Sequence, residues 1–440
     1  MRHFACQYRR PVVGTYQSNR ECVQLDLPMA AKKRDAAGND AEDPLISGSR
    51  DEWPASPTNY WGLAVTTPVF MGYAACVILQ HQLKETMGVD DKNSHDYKIF
   101  THAVSFNYIG NLIFRLAHNV VFARFKPRQR VFISLSAMCI AMTLLGVVIC
   151  LGKSRNLAWI FVAYFLCGVS VGTYESNMIS CITPLGHESK VWTIIGMPLG
   201  FNLISIGGQA LLSADFPLPG LYIIVLSLCI TAMMVMMYMI PNREIPNNSN
   251  NLAEVRENIG EWRAWLPLIK WHCAALMVDM WAVSFFSAIM FYILSEPNVS
   301  MFGMNHTSWI VDKHAYFAVF NCFTFIGDSM SRKLIYHMKR LRHPWLYLLC
   351  AVVGAALLLS DIPLLGPLGM FLVFFCNGAV YATSTKYIDT HVDKRYNLVA
   401  LSVWLFIGDI GSVIGSNSWQ EIQPRICTEA LKKSQYFCNP

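Results

Sequence analysis

Eleven apolar blocks, each long enough to cross a bilayer, leave this chain few folds to choose from. A helix of roughly 20 apolar residues spans the hydrocarbon core. Lipid offers the backbone no hydrogen-bond partner, so each spanning block must be a helix. The blocks run at 60–81, 99–122, 131–151, 157–183, 191–213 and 219–241, then at 268–294, 314–337, 344–361, 364–387 and 397–418. Only 15% of the residues are charged, against about 25% in a soluble domain. The pattern predicts an all-α polytopic transmembrane bundle in a 6+5 arrangement. Residues 60–241 form a first bundle and 268–418 a second, joined by a cytosolic linker at 242–267. Residues 1–59 read as a disordered cytosolic tail with no cleavable signal peptide, and 419–440 as a non-cytosolic tail. Glu261, Trp262, Arg263 and Trp265 suggest a short interfacial segment at the end of the linker.

Charge placement sets the expected orientation. Arg124, Lys126, Arg128 and Arg130 follow the second block, and Arg332, Lys333, Lys339, Arg340 and Arg342 close the eighth. Lys386, Lys394 and Arg395 lie between the last two. Alternating spans put all three clusters on one side, which the positive-inside rule makes cytosolic. Against this stand Lys153, Arg155, Lys432 and Lys433, which fall on the other side. The sequons at Asn298 and Asn305 then face outward as glycosylation sites. The basic residues mark topology, so no nucleic-acid partner is expected. Most of the 14 cysteines are single and inside apolar blocks, with no metal-site spacing, although Cys427 and Cys438 could pair outside. No phosphate-binding loop or protease signature occurs, so neither enzymatic activity nor a cofactor is expected.

Two segments repeat. Phe106-Asn107-Tyr108-Ile109-Gly110-Asn111 leads to Arg115, and Phe323-Thr324-Phe325-Ile326-Gly327-Asp328 leads at the same spacing to Arg332. Repeated halves with a site between them are a common transporter build. Two parallel halves fit the major-facilitator architecture, here short of one terminal helix.

Ionisable residues inside spans are costly and mark solute pathways. The set here is Arg115, His118, Glu175, Asp279, Asp328, Arg332 and Asp409. Asp328 and Arg332 are four apart and share a helix face, offering an acceptor and a donor fork to a polar solute. A helix-end cluster that snorkels to the surface is the plainer reading of that pair. Glu175 and Asn177 form a polar patch in the fourth block, and Asn111 with Arg115 another in the second. Asp409, among Gly408, Gly411 and Gly415, has Arg115 as an available cationic partner. The Met233–Met239 run reads as lipid-facing or core filler.

Four stretches of the second half resemble the equilibrative nucleoside transporters. They are Thr307-Ser308-Trp309 through Phe320-Asn321; Phe320-Asn321-Cys322-Phe323 with Gly327; Phe375-Cys376-Asn377-Gly378 with Ser384; and Gly408-Asp409-Ile410-Gly411-Ser412. The span count and predicted termini also match that family. The chain departs from it in lacking a proline-tryptophan-asparagine signature in the first span. Thr324 stands where the family has an aspartate, unless the alignment slides one helical turn to Asp328 and Arg332. The resemblance implies a transporter of nucleosides or nucleobases, facilitative or proton-coupled, working by alternating access. Asp328 and Arg332 would then hold sugar hydroxyls, while Glu175, Asn177, Asn111 and Arg115 line the other side. Asn321, Asn377, Gly378, Asp409 and Gly411 would serve gating and helix packing. The stretch from Asp328 to Lys333 also resembles the gate motif of major-facilitator carriers, which leaves a carrier of another small polar solute as the alternative. A membrane receptor or scaffold ranks behind both. The plasma membrane is the expected location, with an endolysosomal membrane suggested by Glu42-Asp43-Pro44-Leu45-Ile46.

Overall fold

Helices cover all eleven apolar blocks in a computed structural model that describes residues 57–89, 95–243, 252–293, 298–303, 309–338, 343–360 and 362–426. In the first half these are α1 (Trp61–Ile78), α2 (Gln80–Met87), α3 (His95–Val121), α4 (Pro127–Thr143), α5 (Ala158–Ile182), α6 (His187–Asn202), α7 (Gln209–Ser213) and α8 (Leu218–Tyr238). α4 continues as a π-helix through Leu144–Leu151, and a second π-helical stretch, Leu203–Gly208, joins α6 to α7. The second half follows with α9 (Leu252–Gly260), α10 (Trp262–Ile293), α11 (Lys313–His337), α12 (Leu348–Leu359), α13 (Gly366–His391) and α14 (Asn397–Ile426). A short hairpin, β1 (Asn298–Ser300) against β2 (Ile310–Asp312), lies between α10 and α11.

Local chemistry marks the ends. The Asn59 side chain accepts the Trp61 N–H at 3.0 Å and starts α1. Pro127 opens α4 while the Gln129 side chain accepts the Lys126 N–H at 2.9 Å. Gly186, at φ 94°, turns the chain between α5 and α6.

Among the described residues, eight helices are long and apolar enough to cross a membrane. Of the other blocks, α3 and α11 are interrupted by the polar residues Asn107, Asn111, Arg115, His118 and Asn119, and by Asp328, Arg332 and Lys333. α12 is a shorter apolar helix. Two expected boundaries move. α10 begins at Trp262, and α9 occupies part of the expected linker. Trp262 is exposed, but Trp265 is buried and donates its indole N–H to the Asn258 carbonyl at 3.0 Å. That bond draws α9 against the start of α10, so Trp265 is a packing residue and not an interfacial one. α14 continues to Ile426, past the expected end at 418. Residues 1–56 of the tail expected at 1–59, and the pair Cys427 and Cys438, lie outside the described residues.

The repeat is visible in the packing. α3 lies along α5 as α11 lies along α13, and α1 along α6 as α10 along α14. A Cβ on Gly110 would stand 2.8 Å from the Phe165 carbonyl oxygen, and one on Gly327 would stand 2.5 Å from that of Phe371. The same residue of the repeat thus makes the same backbone-to-backbone contact in each half. In the Met-rich run, Met236 is buried in the first-half core while Met234, Met237 and Met239 are exposed.

Candidate transport site

Charged residues of α3, α5 and α14 meet a tyrosine of α13 in one network. Arg115 on α3 is 5% exposed and reaches two carboxylates. Its Nη1 lies 2.5 Å from Glu175 Oε2 on α5, and its Nε lies 2.6 Å from Asp409 Oδ2 on α14. Asn111, one turn earlier on α3, donates to the same Asp409 oxygen at 3.2 Å. Tyr381 on α13 donates its hydroxyl to Glu175 Oε1. Arg115 therefore ties its own half to the second half through Asp409, and Glu175 does so through Tyr381. Each carboxylate gains a charge-assisted partner that offsets part of its desolvation.

The second half carries its own pair. Arg332 clamps Asp328 with two bonds, Nε to Oδ1 at 2.7 Å and Nη2 to Oδ2 at 3.1 Å. The guanidinium also sits 4.3 Å from the centre of the Tyr381 ring and reaches the Met197 sulfur on α6 at 4.0 Å. Tyr381 stands edge-on to Trp404, which is fully buried. Both arginines of the repeat thus converge on the Glu175–Tyr381 contact. Arg332 is buried in protein, so the snorkelling reading of this pair is set aside.

Other predicted residues fall elsewhere. Asn177 is buried, but its amide donates to Thr173 O in its own helix at 2.6 Å, so it does not join the network. Asn321 lies two turns before Asp328 on α11, with the Thr324 hydroxyl donating to its backbone carbonyl at 2.7 Å. Asn377 donates to Asp279 Oδ2 at 2.7 Å, linking α13 to α10. Gly378 lets α13 approach the backbone at Asp328, and Gly411 lets α14 approach Met277 of α10. Asn298 is exposed on β1, and Asn305 lies outside the described residues. His118 accepts or donates within its own half, to Phe114 O at 2.7 Å and Ser176 Oγ at 3.3 Å.

Sequence reasoning missed four participants. Tyr381 gives no signal in an apolar run, because its ring is as welcome there as any aromatic. Lys190, in the first turn of α6, pairs with Asp389, in the last turn of α13, and their side chains are 1% and 4% exposed. Asn397 supports Asp389 with a bond of 3.1 Å. These residues sit at the edges of apolar blocks, where charges look like solvated helix ends. Nearby, Asn119 of α3 donates to Ser402 of α14 at 3.1 Å.

The family model for the Major Facilitator Superfamily matches residues 63–416. Among solved structures, the human organic anion transporter MFSD10 (TETRAN) aligns with a TM-score of 0.63 at 12% identity, covering 86% of this chain and 95% of that one. The superfamily transporter FucP in an outward conformation aligns at 0.59 and 14% identity, covering 83% and 92%. A variant of the E. coli fucose:proton symporter FucP aligns at 0.58 and 14%, covering 82% and 92%. No curated protein matches the chain by sequence.

Proposed function

The chain belongs to the Major Facilitator Superfamily, a family of multi-pass membrane carriers rather than enzymes, and on that premise we propose that it moves a small polar solute by alternating access. The observation that carries this reading is Arg115 held between Glu175 of its own half and Asp409 of the other. A guanidinium buried between two carboxylates is costly, and breaking such a contact typically costs about 3–5 kcal/mol. Its place is where two halves must part and rejoin. The ties from Arg115–Asp409 to Lys190–Asp389 hold the halves together as far as the start of α6 and the end of α13, the latter leading to the basic loop of Lys394 and Arg395. This is the arrangement of a carrier closed on its cytosolic side.

In this reading all eleven helical blocks cross the membrane, six in the first half and five in the second, with the N-terminal region and basic loops cytosolic. Asn298 and Asn305 then lie on the outer face, open to glycosylation. Asp328, Arg332, Glu175, Asn111 and Arg115 surround the solute path, and Asn377, Gly378 and Gly411 govern how closely its helices approach. The nucleoside specificity implied by the equilibrative resemblance finds no support in the matched family or the aligned structures, so the solute class is left at a small polar molecule.

The test is uptake by the purified full-length chain in proteoliposomes, with labelled nucleosides, sugars, amino acids and organic ions. Saturable uptake of one class, lost at least ten-fold in Arg115→Ala, is expected. Vesicles no more permeable than protein-free controls to every solute would end the transport reading.

A further inference from the structure

The two arginines of the network stand among four carboxylates, Glu175 of the first half and Asp279, Asp328 and Asp409 of the second. In the first half Arg115 contacts Glu175 and, across the interface, Asp409. In the second, Arg332 is fully engaged by Asp328, and Asp279 remains. Asp279 lies in the middle of α10 and is 0% exposed. Among the described residues it touches no cation. Its Oδ2 accepts from the neutral Asn377 amide at 2.7 Å, and its Oδ1 is without a hydrogen-bond partner. The groups facing it are Asn377 and the Cys376 thiol on α13, with Asp328 and Arg332 of α11 beyond them. The other buried cations do not compensate. Lys190 is matched by Asp389, Arg130 in the first turn of α4 bonds back to the Phe122 and Phe125 carbonyls at 3.0 and 2.9 Å, and Lys84 on α2 lies over the Tyr97 ring.

A carboxylate wholly buried among apolar helices and away from any cation is poorly tolerated. Burial favours whatever supplies it with positive charge. Building on the carrier reading above, we propose that Asp279, steadied by Asn377, is the docking point for a positive charge that moves with each transport cycle. That charge is either an ammonium group on the solute or a proton taken up beside a neutral solute. Asp279 differs in this from Glu175, Asp328 and Asp409, each of which already contacts an arginine. Asn377 orients the carboxylate with a neutral donor and leaves the charge itself unmet.

The full-length chain in proteoliposomes tests this with choline and agmatine as cationic probes, uridine, glucose and alanine as uncharged or zwitterionic probes, and succinate as the anionic one. Vesicles are loaded with the pH dye pyranine, and a valinomycin-set potential, negative inside, is applied. Uptake of choline or agmatine driven by the potential, and reduced ten-fold or more in Asp279→Asn, assigns the charge to the solute. Uptake of an uncharged probe accompanied by acidification of the lumen, with that acidification lost in Asp279→Asn, assigns it to a proton. Transport that moves no positive charge, or that Asp279→Asn leaves within two-fold, overturns the inference and leaves the carrier reading standing. Absence of uptake for every probe removes both. If Asp279→Asn does not elute as a folded protein, the wild-type response to the potential and the partial activity expected of Asp279→Glu decide the matter instead.

Discussion

Glu175 and Tyr381 occupy the same position in the two halves, 206 residues apart, and hydrogen-bond to each other across the interface between them. Gly172 and Gly378 have the same spacing, and each is where its helix meets the backbone of the partner helix, at Asn111 and at Asp328. The repeat therefore places a carboxylate and a phenol face to face where a strict copy would have placed two carboxylates. One half supplies the acceptor and the other the donor.

Tyr381→Phe removes a hydrogen bond to a charged acceptor, which is worth about 1.5–3 kcal/mol. The ring remains to pack on Trp404 and Arg332. A lower melting temperature in detergent and a looser closed state are expected. Glu175→Gln keeps an acceptor for Tyr381 but removes charge from Arg115, so its uptake should fall further than that of Tyr381→Phe.

Arg115→Lys should behave as a loss and not as a conservative change. A single ammonium lacks the planar fork that meets Glu175 and Asp409 together. A decrease of at least ten-fold in uptake is expected. Adding Asp409→Asn to Arg115→Ala should recover stability relative to Arg115→Ala alone, because it removes a carboxylate that the single variant strands. A double-mutant cycle on melting temperature measures this coupling.

Gly327→Ala places a methyl 2.5 Å from the Phe371 carbonyl oxygen, which belongs to a helix backbone and cannot swing aside. Gly207→Ala meets nothing within 4 Å. The first should lower the melting temperature by several degrees, with a loss on the order of 1–3 kcal/mol for overpacking. The second should leave it nearly unchanged. Equal melting of the two variants would show that the α11–α13 crossing is not close-packed.

Lys190→Met or Asp389→Leu alone strands one buried charge, at a cost of about 3–5 kcal/mol, whereas changing both to apolar residues should restore most of it. Thermal melting of the two single variants and the double variant reads this directly. Additive losses would contradict a sealed pair.

The helical blocks and the repeat were legible because both are written in short-range patterns: runs of apolar residues, and a glycine followed at fixed spacing by an arginine. Even the Arg115–Asp409 pairing could be anticipated, since burial of one charge demands another. The pairing of Glu175 with Tyr381 could not, because a tyrosine in an apolar run announces no partner. Lys190 and Asp389 were hidden for a different reason. A charge at the end of an apolar block looks solvated until the packing of α6 against the second half shows otherwise. The same limit explains Trp265, whose indole is drawn inward by one carbonyl of α9. Asn177 shows the converse, a buried polar residue whose amide N–H bonds within its own helix while its Oδ1 has no hydrogen-bond partner.

Because almost none of the Lys190–Asp389 contact reaches solvent, mobile ions cannot gather around it. Surface pairs such as Arg425–Glu421, whose side chains are 81% and 80% exposed, weaken as an ionic atmosphere screens them. The closure at the ends of α6 and α13 should instead keep its strength from dilute buffer to near-molar salt.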